Sequence, residues 1–156
     1  MMKKLAFAAL LLVACLSGLQ AQRGQAVYAE LGGPGLLFSF NYDFRFKAKP
    51  KGLGARVGLG YFGSPDDGGI VTVPVQANWL LGKNGRYFEL GVGGTLVLGT
   101  GEVFDEDAGH LIGTMTFGYR RQPEEGGFMW KIAITPILFD GFFLPYFGGV
   151  GLGYAF

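Results

Sequence analysis

Polar and apolar residues alternate along this chain with the period of a β-strand, which sends successive side chains to opposite faces. In "LLFSFNYDFRF", Leu36, Phe38, Phe40, Tyr42, Phe44 and Phe46 fall on one side, and Ser39, Asn41, Asp43 and Arg45 on the other. "IVTVPVQANWLL" sets Val71, Val73, Val75, Ala77, Trp79 and Leu81 against Thr72, Gln76 and Asn78. Phe88, Leu90, Val92, Leu96 and Leu98 oppose Glu89 and Thr95, while Phe128, Trp130, Ile132 and Ile134 oppose Lys131 and Thr135.

Eight segments of this kind are separated by Gly, Pro, Asn and Asp clusters that signal turns. The first runs from about Ala26 to Gly32 and turns at "GGPG". The second reaches Phe46 and stops at "KAKPKG". The third, "LGARVGLGYFG", meets "SPDDGG", and the fourth stops at "GKNG". The fifth, "RYFELGVGGTLVLG", leads to "TGEVFDEDAG". The sixth, "HLIGTMTFGYRR", breaks at "QPEEGG". The seventh, "FMWKIAITPILF", turns at "DG", and the last runs from Phe142 to Phe156.

Alternation with one apolar face fits a soluble sandwich as well as a barrel. Composition shifts the balance. The chain of 156 residues carries 29 Gly and 15 Phe, and only 16% of it is charged, against roughly a quarter in soluble domains. Beyond the N-terminus no apolar run approaches the ~20 residues of a membrane helix, which leaves a closed β-barrel as the way to place such a chain in lipid. The opening "MMKKLAFAALLLVACLSGLQAQ" pairs Lys3 and Lys4 with an apolar stretch from Leu5 to Leu16, as in a secretory signal. Cleavage after Ala21 is the preferred reading; the lipobox-like "LVAC", with lipidation at Cys15, is the competing one. The expected architecture is therefore all-β: a signal peptide over 1–21, then an eight-stranded antiparallel up-and-down transmembrane β-barrel over 22–156.

With both termini in the periplasm, the odd connections face outward from the cell. Asp66, Asp67, Glu102, Asp105, Glu106, Asp107 and Asp140 then lie outside, and Lys47, Lys49, Lys51 and Lys83 lie at the periplasmic end. Loss of Lys3 and Lys4 from 13 basic residues leaves one fewer than the 12 acidic ones, so nucleic acid is not an expected partner. The predicted lumen contains the acids Glu30, Asp43 and Glu89 and the bases Arg45, Arg56, Arg120 and Lys131. Charges inside a narrow barrel need pairing, so these seven are expected to form an ion-pair network. Inward glycines such as Gly58, Gly60, Gly91, Gly93, Gly149, Gly151 and Gly153 either make room for the long cations or mark a cavity. Phe44, Phe46, Trp79, Phe88, Tyr119 and Trp130 cluster near the periplasmic strand ends and read as an aromatic belt at the headgroup boundary.

The final segment places Tyr146, Gly148, Val150, Leu152, Tyr154 and Phe156 on one face and Gly149, Gly151, Gly153 and Ala155 on the other. This pattern resembles the C-terminal insertion signal of outer-membrane β-barrel proteins, which ends in Phe and is read by the barrel-assembly machinery. "VYAELGGPGLLFSFNYDFRF" is similar to the opening hairpin of small outer-membrane barrels of diderm, Gram-negative-type bacteria, a family of uncharacterised function that brings no activity with it. The resemblance implies residence in the outer membrane and contact with its lipids; a monomer is the expected state.

Three functions follow as expectations: a structural, envelope-integrity or surface-interaction role, a small-solute or ion pore, and a lipid A-modifying enzyme. The last would need His110 with Ser64 and an acid among Asp66, Asp67 and Asp107, but no motif of the lipid A palmitoyltransferases or deacylases surrounds them. The enzyme is the least favoured. No His/Cys metal constellation stands out, and no cofactor is expected. The run Asp105–Asp107 reads as a solvated loop or as a contact for divalent cations that bridge lipopolysaccharide.

Overall fold

The computed structural model describes residues 24–64, 68–100 and 110–156. The signal segment with Ala21 and Cys15, and the loop acids Asp66, Asp67, Glu102 and Asp105–Asp107, lie outside the described residues. Ten strands are present among those described: β1 Ala26–Gly32, β2 Phe38–Arg45, β3 Gly52–Ser64, β4 Gly68–Lys83, β5 Arg86–Thr100, β6 His110–Arg121, β7 Gly127–Ile134, β8 Ile137–Phe139, β9 Phe142–Leu144 and β10 Gly148–Ala155.

Eight staves close into an antiparallel barrel in the order β5, β4, β3, β2, β1, β10, β7, β6, with β6 pairing back onto β5. The closing seam joins β1 to β10 from Ala26↔Ala155 to Gly32↔Gly149. Phe156 extends it: its carbonyl accepts from Gly24 N at 3.0 Å and Gln25 N at 3.1 Å, and its own N–H donates to Gln25 O at 2.9 Å. Closure gives the backbone of each stave a partner on both sides and removes the edges that an open sheet would expose.

Two turns follow their local chemistry. Asn84 and Gly85, between β4 and β5, both take positive φ (57° and 74°), and so do Asp140 and Gly141, between β8 and β9 (43° and 78°). Positive φ at both central residues is the primed hairpin turn that matches strand twist, and Asn-Gly and Asp-Gly are the pairs that adopt it readily.

The structure departs from simple alternation at two places. The seventh and eighth predicted segments each split, into β7 with β8 and β9 with β10. Pro136 has no N–H to donate at the first break; its carbonyl instead accepts from Met115 N at 3.0 Å, and Thr135 N turns to Phe147 O at 2.6 Å. The second departure is the "GGPG" connection. It forms a 3-10 turn, Gly33–Gly35, whose three residues are all buried against β1, β3, β4, β5, β6 and β10. This first connection folds into the barrel rather than out of it. Leu36, expected on the outward apolar row, takes φ 73° to make that return, and the outward row of β2 starts at Phe38.

Polarity is inverted relative to a water-soluble domain. Among the described residues, 18 buried side chains are polar or charged and 9 are hydrophobic. The apolar rows face out on every stave: Phe40 is 64% exposed, Val92 61%, Leu111 72% and Phe128 62%. Inward apolar residues gather mainly at the end carrying the termini, where Ala26, Tyr28, Met129 and Ala155 pack together.

Candidate functional site

The lumen is built by the period-two register of each stave. Glu30 comes from β1, Asp43 and Arg45 from β2, Arg56 from β3, Glu89 from β5, Arg120 from β6 and Lys131 from β7, and none of the seven is more than 2% exposed. They form one continuous chain of alternating sign. Arg45 pairs with Asp43 on its own strand. Asp43 Oδ2 meets Arg120 Nη1 at 2.8 Å, and Arg120 Nη1 reaches Glu89 Oε2 at 3.7 Å. Glu89 meets Lys131 Nζ at 3.0 Å; Lys131 Nζ lies 3.5 Å from Glu30 Oε1; Glu30 Oε2 lies 3.1 Å from Arg56 Nη1. The chain thus begins and ends on arginine and carries one cation more than it has anions.

Neutral groups complete it. Asn78 accepts from Arg45 Nη2 at 2.5 Å and donates to Asp43 Oδ2 at 2.6 Å and Glu89 Oε1 at 3.3 Å. Tyr28 accepts from Arg56 Nη1 at 2.8 Å, and its ring lies 5.7 Å from the Arg120 guanidinium carbon and 5.4 Å from Lys131 Nζ, within cation–π range. Asn78 and Tyr28 are members that charge counting missed; for Tyr28, its place two residues before Glu30 on β1 was the available signal. Arg56 and Arg120 each engage the network through Nη1 alone, and their Nε and Nη2 atoms are buried without a hydrogen bond. Glu30 Oε2 and Glu89 Oε2 stand at ion-pair distance from their cations without hydrogen-bond alignment.

Nearer the other end of the barrel, hydroxyls and amides fill the bore. Gln76 donates to Thr114 Oγ1 and accepts from Thr116 Oγ1, both at 2.9 Å, joining β4 to β6. Above them the inward-folded turn is fastened at both sides. Thr72 Oγ1 donates to Gly35 O at 2.9 Å, and Thr95 Oγ1 to Pro34 O at 2.5 Å. At the end carrying the termini, Gln122 Nε2 crosses to Gly24 O at 3.0 Å.

The inward glycines make room for these side chains. A Cβ at Gly58 would lie 2.3 Å from Asn41 Oδ1, at Gly60 2.2 Å from Thr72 Oγ1, at Gly151 2.9 Å from Lys131 Cγ, and at Gly153 2.4 Å from Tyr28 Cβ. Space that could have been a cavity at these positions is occupied.

On the outer surface, Phe46, Trp79, Phe88 and Tyr119 are exposed, and Phe44 and Trp130 half-buried. Tyr119 and Trp130 lie with ring centroids 5.3 Å apart, and Phe44 packs edge-on to Phe46 at 5.7 Å. Tyr146, Val150, Leu152 and Tyr154 are exposed on the same wall, with Phe156 half-buried at the seam. His110 sits at the end of β6 away from the termini, edge-on to Phe139 at 5.8 Å. The Ser64 side chain and the acids Asp66, Asp67 and Asp107 lie outside the described residues, so no Ser–His–acid grouping is assembled within them. No family model, curated protein sequence or solved structure matches this chain.

Proposed function

We propose that this chain is an integral outer-membrane barrel with a structural, envelope-integrity or surface-interaction role and a lumen that does not conduct. The observation that carries this reading is the inverted polarity: large apolar side chains cover the outside while charged ones fill the bore. A water-soluble monomer rarely exposes a contiguous apolar patch beyond a few hundred Å². Hydrocarbon around the barrel accounts for the outward rows, and a closed sheet satisfies the backbone there. Its partners are outer-membrane lipids and, during insertion, the barrel-assembly machinery, which the Tyr146–Phe156 pattern would address. In this reading the strand ends bearing the termini face the periplasm.

Support for a sealed lumen comes from the solvent-inaccessible ion chain and from the buried turn Gly33–Gly35 that fills the bore above it. An eight-stranded bore is just wide enough for side chains to fill. In this reading the chain carries out no catalytic step. Two measurements test it. Refolded protein should show heat-modifiable gel migration in detergent, and it should add no discrete conductance to a planar bilayer. Monodisperse folded protein in plain buffer would overturn the membrane reading, and reproducible single-channel steps would replace the structural role with a pore.

A further inference from the structure

Three cations stand side by side on the outer wall at the end carrying the termini. Lys83 pairs across β4–β5 with Arg86, and Arg86 pairs across β5–β6 with Arg121. All three are exposed, and with Gly82 and Asn84 they line an open hollow of about 680 Å³. Among the described residues none of the three is within ion-pair distance of a carboxylate; the nearby Glu124 accepts instead from Asn84 N and Tyr87 OH, both at 3.2 Å. Like charges directly opposite on a sheet repel, so an external anion bridging the three would relieve the cluster.

What lies next to the hollow identifies the anion. Along the same outward rows stand Trp79, Phe88 and Tyr119, and Trp130 is the cross-strand neighbour of Arg121. Cations at a rim beside a belt of amphipathic rings, continuing into apolar wall, match a molecule with an anionic head and hydrocarbon tails. We propose that Lys83, Arg86 and Arg121 form a binding site for the phosphate of an anionic phospholipid, with its acyl chains lying along the wall beneath. This inference rests on the membrane reading above.

The two tryptophans report on it directly, since Trp79 and Trp130 are the only ones in the chain and flank the site. The refolded barrel is placed in phosphatidylcholine vesicles containing brominated phosphatidylglycerol or, at equal mole fraction, brominated phosphatidylcholine. Tryptophan quenching should favour the anionic lipid, and R86Q and R121Q should each lower that preference about fivefold, the weight of one cation beside an anionic surface. Both positions are exposed rim residues, so the variants retain the barrel, which gel migration verifies. Equal quenching by the two lipids, or an undiminished preference in R86Q/R121Q, would overturn the site while leaving the membrane reading intact. No quenching by either lipid would overturn both.

Discussion

Arg120 Nη1 lies 2.8 Å from Asp43 Oδ2, a contact between residues 77 positions apart that crosses the barrel from β6 to β2. Those two staves are diametrically opposite, four places apart in either direction around the wall. Asp43 is the crossing point of the lumen: it also holds Arg45 and Asn78. Its replacement by Asn removes the charge that both arginines face inside a site without solvent. The expected loss for breaking a buried pair is about 3–5 kcal/mol, measured by urea unfolding of the refolded barrel.

Arg56 is the contrasting case. It sits at one end of a chain with a surplus cation and leaves two guanidinium nitrogens without hydrogen bonds, while Glu30 keeps Lys131 as a partner. Arg56→Met therefore removes buried unsatisfied donors along with one ion pair. Its cost should be smaller than that of Asp43→Asn in the same titration. An equal or larger loss would mean that the excess charge is compensated in a way the chain of seven residues does not contain.

The glycines of the bore give a steric prediction. A Cβ at Gly153 would stand 2.0 Å from Val27 O, which is backbone and cannot move aside. Gly153→Ala should destabilise the seam by about 1–3 kcal/mol. At Gly94, on the outward face beside Val92 and Leu96, a Cβ would meet the flexible end of Leu111 at 3.1 Å and Ile112 O at 3.3 Å, so Gly94→Ala should cost clearly less than Gly153→Ala.

The inward turn is held by two hydroxyls. Thr72→Val with Thr95→Val deletes both hydrogen bonds to Gly35 O and Pro34 O while preserving side-chain volume, at about 1 kcal/mol each. Amide exchange at Leu36, whose N–H bonds Gly33 O at 3.0 Å, should accelerate in the double variant, and exchange in β4 and β5 should not.

The outward rows separate lipid from water as their surroundings. Val92 lies mid-strand in β5 and is 61% exposed. In hydrocarbon, Val92→Arg should cost about 2–4 kcal/mol in vesicle refolding. On a water-facing wall the same change should stay within about 0.5 kcal/mol, and that result would contradict the membrane reading.

Much of this molecule is local information. Alternation by itself assigns Phe40 outward and Asn41 inward, because side chains on a strand have no other choice of face. Asn84–Gly85 and Asp140–Gly141 announce their hairpins because few other pairs adopt two consecutive positive φ values cheaply. The seven charged lumen residues were legible for the same reason, as polar members of otherwise apolar rows. What the local pattern could not contain is who meets whom across the bore. The contact of Asp43 with Arg120, the place of Tyr28 beneath two cations, and the inward fold of Gly33–Gly35 onto Thr72 and Thr95 all depend on closing the sheet with a particular register. Closure sets which staves stand opposite and how wide the bore is, and both arise from all eight strands together. The repelling trio Lys83, Arg86 and Arg121 belongs to that second category as well, since only cross-strand register turns three scattered cations into neighbours.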